Sequence, residues 1–144
     1  MSPTNSPLDT LLRVRRHRRD LCRIALVELN RHDHALRAEQ DAIRVESAAA
    51  SAELRSLESH RTLDITASVA GRRHFGDLAR ELRELDQRRH ELSDRIVAQG
   101  ERLLLSDRDV RSLEKLLDRR ESEATAVRSR KEARELDEVC RVAS

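Results

Sequence analysis

The sequence of 144 residues is short of most things that build a compact globular core. It has one aromatic residue, Phe75, with no Trp and no Tyr, and only three Gly and two Pro. Aromatics supply much of the buried area in ordinary cores, and Gly and Pro supply the turns of multi-element folds. Their scarcity argues against a sandwich, a barrel, a doubly wound sheet or an enzyme with a pocket. Two cysteines, Cys22 and Cys140, are too few for a disulfide scaffold and lack zinc-ligand spacing. No apolar run exceeds Leu103-Leu104-Leu105 by much, so no membrane span is expected. The opening Met1-Ser2-Pro3-Thr4-Asn5 has no apolar core of a secretory signal. A soluble, cytoplasmic, reducing location is the expectation.

What the chain does have is charge and leucine. Charged residues make up 39% and hydrophobic ones 38%, with 29 basic residues against 27 acidic. That balance is not a polycation built for nucleic acid. Leu, Ala and Val mixed with Arg and Glu are the composition of long helices and coiled coils.

The apolar residues recur at alternating steps of three and four. On the first segment one series is Leu8, Arg15, Cys22, Leu29, Leu36, Ile43, Ala50 and Leu57, at d positions. Its companion at a positions is Leu12, Arg19, Leu26, Asp33, Gln40, Ser47, Leu54 and Arg61. The pattern fades at Leu63, and Ser68, Gly71 and Gly76 form a cluster of breakers. A second frame starts at Leu78 and includes Leu82, Leu85, Arg89, Leu92, Ile96, Leu103, Val110, Leu113 and Leu117. It continues through Ala124, Val127 and Lys131. The spacing predicts an all-α fold: a long two-helix antiparallel coiled-coil hairpin filling residues 1–144 as one domain. The helices are expected at about 8–64 and 76–140, after a disordered start at 1–7 and around a turn at 65–75.

Helix pairing was expected where paired numbers total 139. That register sets Leu26 on Leu113, Leu29 on Val110, Leu36 on Leu103, Ile43 on Ile96, Leu54 on Leu85, Leu57 on Leu82, Cys22 on Leu117 and Leu12 on Val127. It also matches Gln40 with Gln99, Asp33 with Ser106 and Arg19 with Arg120, and shared polar layers are one way coiled coils set register. Cys22 and Cys140 would then lie roughly 35 Å apart, beyond disulfide reach. A monomeric hairpin is favoured over a homodimer.

No catalytic, cofactor or metal site is expected. His32 and His34 sit two apart, on opposite helix faces, and His17, His60, His74 and His90 lack acidic or thiol partners at ligand spacing. Carboxylates work as acid and base only where a cleft separates their pKa values, and a two-helix rod has none. Two surfaces stand out. Arg13, Arg15, Arg16, Arg18, Arg19 and Arg23 crowd the start of the first helix, read either as a solvated helix end or as a dock for an acidic protein. Phe75, beside the glycines, either caps the seam or is exposed as an anchor for a partner.

Pro7-Leu8-Asp9-Thr10-Leu11-Leu12-Arg13-Val14-Arg15-Arg16-His17-Arg18 resembles the start of the flagellar export protein FliJ family. Arg73-His74-Phe75-Gly76-Asp77-Leu78 resembles its hairpin region, and Leu113–Arg120 with Arg134-Glu135-Leu136-Asp137-Glu138 resembles its C-terminal helix. The resemblance implies an antiparallel coiled-coil stalk of the bacterial flagellar type III protein export apparatus, with the flagellum-biogenesis and chemotaxis association that entails. Such a stalk is not an enzyme. It binds the export ATPase ring and links it to the export-gate membrane protein and to export chaperones. It would sit peripherally on the cytoplasmic face of the inner membrane, without inserting, and would not bind nucleic acid. The arginines at the open end would face the ATPase; Phe75, Leu78, Ala79 and Leu82 would face the gate. The family's first-helix tyrosines have no counterpart here. The equivalent stalk of a virulence injectisome and a generic homodimerising coiled coil are the alternatives.

Overall fold

A computed structural model describes residues 6–59 and 64–144. The protein is an all-α two-helix hairpin: α1 spans Pro7–Glu58 and α2 spans Ile65–Ala143, and no strand occurs among the described residues. Both starts are encoded locally. Ser6 caps α1, its hydroxyl accepting from the Leu8 and Asp9 amides at 3.2 and 3.4 Å. Pro7 then takes the first helical position, where its missing N–H costs nothing, and Asp9 complements the helix dipole. Asp64 caps α2, its carboxylate accepting from the Ala67 amide at 3.2 Å.

The turn is not where the glycines are. Residues 65–75, expected as the turn, form the first three turns of α2, and α1 ends at Glu58 rather than at 64. Residues 60–63, including seam candidate Arg61, and residues 1–5 of the expected disordered start lie outside the described residues. Pro7, expected in that start, is helical. All three glycines lie inside α2, and none has a positive φ. A helical glycine costs about 1 kcal/mol against alanine, which packing readily offsets. Gly71 has a packing reason: a Cβ there would stand 2.7 Å from Leu54 Cδ1. It is a site of close helix approach.

The structure divides into two units. In the end unit, residues up to Arg23 pack with Arg102–Ser144. Its core is Leu12, Val110 and Leu113, flanked by Leu8 and Leu117, and Val110 is completely buried. In the middle unit, Ile24–Glu101, the buried residues are Leu78, Leu85, Leu92, Ser68 and Gln40. The inward positions follow the heptad frame. Leu26, Leu29, Leu36, Ile43, Leu54 and Leu57 on α1 are half-buried, as are Leu82, Ile96 and Leu103 on α2. The same frame runs back through Gly71 and Ser68.

The register differs from the expected one. Leu113 packs with Leu12, not Leu26; Leu12 packs with Val110 and Leu113, not Val127. Cys22 meets Ser106 at 3.7 Å rather than Leu117. Leu54 approaches Gly71 rather than Leu85, and Asp33 and Gln40 bond Arg89 instead of Ser106 and Gln99. Arg19 bonds its neighbour Asp20 and not Arg120. Paired numbers such as Leu12 and Leu113 total 125, two heptads from 139, and the other pairs of that register fall with it. The reason is the period itself. A slip of whole heptads keeps every a and d residue on the seam, so apolar matching discriminates weakly between registers. Turn position and polar partners decide it.

Cys22 is half-buried and Cys140 exposed. Ser106, beside Cys22, lies roughly 50 Å along the helix from Cys140, so one chain cannot join them.

Two substitutions test this layout. With Cys22 and Cys140 replaced by alanine, Leu12→Cys with Leu113→Cys is expected to form an intramolecular disulfide on mild oxidation, and Leu12→Cys with Val127→Cys is not. Gly100, with nothing within 4 Å of an added Cβ, is expected to stabilise the fold by about 0.5–1 kcal/mol on Gly100→Ala in urea unfolding. Gly71→Ala is expected to yield less, because Leu54 must move.

Candidate functional surfaces

Three surfaces carry unusual chemistry. The first is a polar layer inside the middle unit. Gln40 is fully buried, and its amide nitrogen donates to Asp86 Oδ1 at 2.5 Å. Arg89 Nη1 donates to Gln40 Oε1 at 2.8 Å, and Arg89 Nε donates to Asp33 Oδ1 at 3.1 Å. Arg37 closes the chain on Asp33 Oδ2 at 3.1 Å. Arg89 occupies a seam position, where an unpaired guanidinium would be costly. Among the described residues no buried side-chain polar atom lacks a partner. This layer holds the pairing; it has no open face for a substrate.

The second surface is the arginine-rich start of α1. Two of its six arginines turn inward: Arg15 and Arg19 are half-buried, and Arg15 Nη1 donates to the Asp109 carbonyl of α2 at 3.3 Å. Arg16 pairs with Glu114 at 3.0 Å, and Arg23 with Asp20 at 3.8 Å. Arg13 and Arg18 make no ion pair among the described residues. By heptad position Arg16 and Glu114 share one edge of the seam, while Arg18 lies on the other, in a row with Leu11, Val14 and Leu21 at steps of three and four along α1; α2's Leu116 lies on that edge at the level of Leu11. Leu11 and Leu116 are 39% and 40% exposed. Val14 and Leu21 extend that edge and are also exposed. One edge is thus charge-satisfied, and the other offers leucines around an unpaired arginine.

The third surface is the far part of α2. Every residue from Asp118 to Ser144 is exposed. Ala124, Val127 and Lys131, expected in the seam, find no partner there because α1 begins opposite Leu117. The projecting stretch, residues 118–143, runs roughly 39 Å as a single helix. No cross-helix bond reaches it among the described residues. Periodicity alone could not locate it, since its length depends on register.

The set Phe75, Leu78, Ala79 and Leu82 is not an exposed cluster. Leu78 is buried, and Ala79 and Leu82 are half-buried. Only Phe75 is open, at 40%, within α2 and not at the turn. Cross-helix pairs flank it: Arg72 with Glu58 at 2.7 Å and His74 with Glu46 at 3.4 Å. Among the described residues no group of three His, Cys, Asp or Glu could hold a metal, and no helix is long and apolar enough to cross a membrane.

Set against known proteins, the chain matches no family model, no curated protein and no solved structure. The likeness to the flagellar export family rests on the sequence motifs alone.

The polar layer has a measurable consequence. Arg89→Met is expected to destabilise the hairpin by about 1–3 kcal/mol in urea unfolding, because it strands Asp33 and the Gln40 carbonyl. Asp33→Leu with Arg89→Leu is expected to recover most of that loss, since apolar replacement of both partners is near neutral.

Proposed function

We propose that the protein is a non-enzymatic helical adaptor that docks a partner protein along the unpaired edge of its end unit. The observation that carries this reading is the exposed row Leu11, Val14, Arg18 and Leu21 at steps of three and four along α1, with α2's Leu116 exposed on the same edge. A leucine edge around an unneutralised arginine fits an amphipathic helix that is apolar on one side and acidic at its margin. A hairpin suits such a role because a packed pair of helices holds its edge rigid.

In its specific form the partner is the ATPase of flagellar type III export, with the export-gate membrane protein and chaperones as further partners. The work would take place in the cytoplasm, at the periphery of the inner membrane. The motifs at Pro7–Arg18 and Leu113–Arg120 support that form, and they coincide with the edge just described. Of the gate-facing set, Phe75 is the most exposed, while Leu78 is buried in the seam and Ala79 and Leu82 are half-buried. The injectisome stalk would use the same surface.

Binding to the purified export ATPase at low salt tests the reading. The wild-type chain is expected to bind and to raise ring assembly or ATP hydrolysis. Arg18→Glu is expected to weaken binding at least tenfold. Arg16→Ala, which removes an arginine already paired with Glu114, is expected to change it less than threefold. No binding by the wild type at micromolar concentration would remove the export form of the proposal.

A further inference from the structure

We infer that the projecting part of α2 pairs antiparallel with the same segment of a second copy of this chain. The inference is independent of the identity of any export partner, and it replaces the monomer expected from the sequence.

The first ground is that the segment carries a stripe of its own. Beyond Leu117 the hairpin seam is mixed: Ala124 and Val127 stand among Arg120, Lys131, Arg134 and Glu138. A second stripe at steps of three and four passes through Ala126, Ser129, Ala133, Leu136, Cys140 and Ala143, and Val139 borders it. It lies about a third of a turn from the seam that α1 covers. From Ser122 to Ala143 the stripe itself carries no charged residue; Arg119 stands one heptad before Ala126 on the same line, and Arg130 flanks the stripe. Most helical stability in proteins comes from packing of an apolar face. No ion pair is made between its side chains among the described residues, so its support must come from a contact along the uncharged stripe.

The second ground is charge, which selects the occupant. Residues 118–131 hold five basic side chains against three acidic; residues 132–144 hold two against four. One half is therefore net +2 and the other net −2. An antiparallel second copy lays each half on its opposite. A parallel copy would stack like on like.

The third ground is that the hairpin itself supplies the pairing rule. Its ion pairs Arg16–Glu114 and Arg72–Glu58 each join the residues that directly follow d positions, and their numbers total 130 where seam pairs total 125. In the projecting stripe the residues following d positions are Glu123, Arg130 and Asp137. Applying the same offset, Arg130 faces the partner's Asp137 and Asp137 faces the partner's Arg130. The seam then sets Ala133 on the partner's Ser129, Ala126 on the partner's Leu136 and Ser122 on the partner's Cys140. The contact is isologous and closes as a two-fold dimer.

Full-length protein tests this by sedimentation velocity across concentration and by oxidation. A reversible dimer of the 16.6 kDa chain is expected. Arg130→Asp and Asp137→Arg each place like charges together twice and are expected to raise the dissociation constant about tenfold or more, equal to about 1.4 kcal/mol. The two changes combined restore opposite charges and are expected to restore dimerisation, which a general loss of helix would not. In a Cys22→Ala background, Ser122→Cys is expected to give a disulfide-linked dimer through the partner's Cys140. Cys140 alone is not, because the two Cys140 residues stand roughly 27 Å apart along the axis. Three results would each overturn the pairing: a monomer at 100 µM, a dimer indifferent to the charge reversals, or efficient Cys140–Cys140 linkage. Circular dichroism of every variant checks that the hairpin stays folded.

Discussion

The structure depends on one half-buried charge in the seam and its partners. Arg89 lies in the seam of the middle unit, where a hydrophobic residue would ordinarily stand, and it is held by Asp33 and Gln40 of the opposite helix. Leucine layers tolerate a slip of seven residues; Arg89 does not, because a slip carries it away from Asp33. Burial of Gln40, bonded to both Arg89 and Asp86, adds a second constraint of the same kind. The end unit follows the same register independently, in the contact of Leu12 with Val110 and Leu113.

Register then decides what is available for function. Because α1 begins opposite Leu117, the last stretch of α2 is left single and fully exposed. Because Arg15 and Arg19 turn inward and Arg16 is paired, the arginine cluster shrinks to Arg18 on the leucine edge, with Arg13 on the other side of the helix. Because the turn precedes Ile65, Phe75 sits along the helix pair, and its neighbours Leu78 and Leu82 hold the seam. Each of these surfaces has a different chemistry. The unpaired edge of the end unit suits an acidic amphipathic partner; the projecting segment, with opposite charge in its two halves, suits its own copy.

Much of this was legible in the residues. The all-α class followed from the absence of aromatics and turn formers, and the heptad frame identified the inward residues from Leu8 to Leu57 and from Leu78 to Leu117. Three things were not. The breaker cluster was misleading, since a glycine in a helix costs little once packing compensates, and Gly71 is where Leu54 comes closest. A clue did exist: stepping the second frame back from Leu78 lands on Phe75, Gly71 and Ser68, so the periodicity never stopped. The register was missed because matching Gln40 to Gln99 satisfied symmetry but left Arg89 without an acid. The projecting stripe was missed because it shares no phase with the seam before it.

The sequence by itself determined the helical class and which face of each helix is apolar, because these are local properties of spacing; the start of α2 at Ile65, expected near 76, came only with the structure. Only the tertiary structure decided which layer meets which, and with it the length of helix left uncovered. Period-seven patterns are degenerate under translation. That degeneracy is lifted by a few non-local contacts, here Arg89 with Asp33 and Gln40, and Gly71 with Leu54, whose partners lie tens of residues away in the chain.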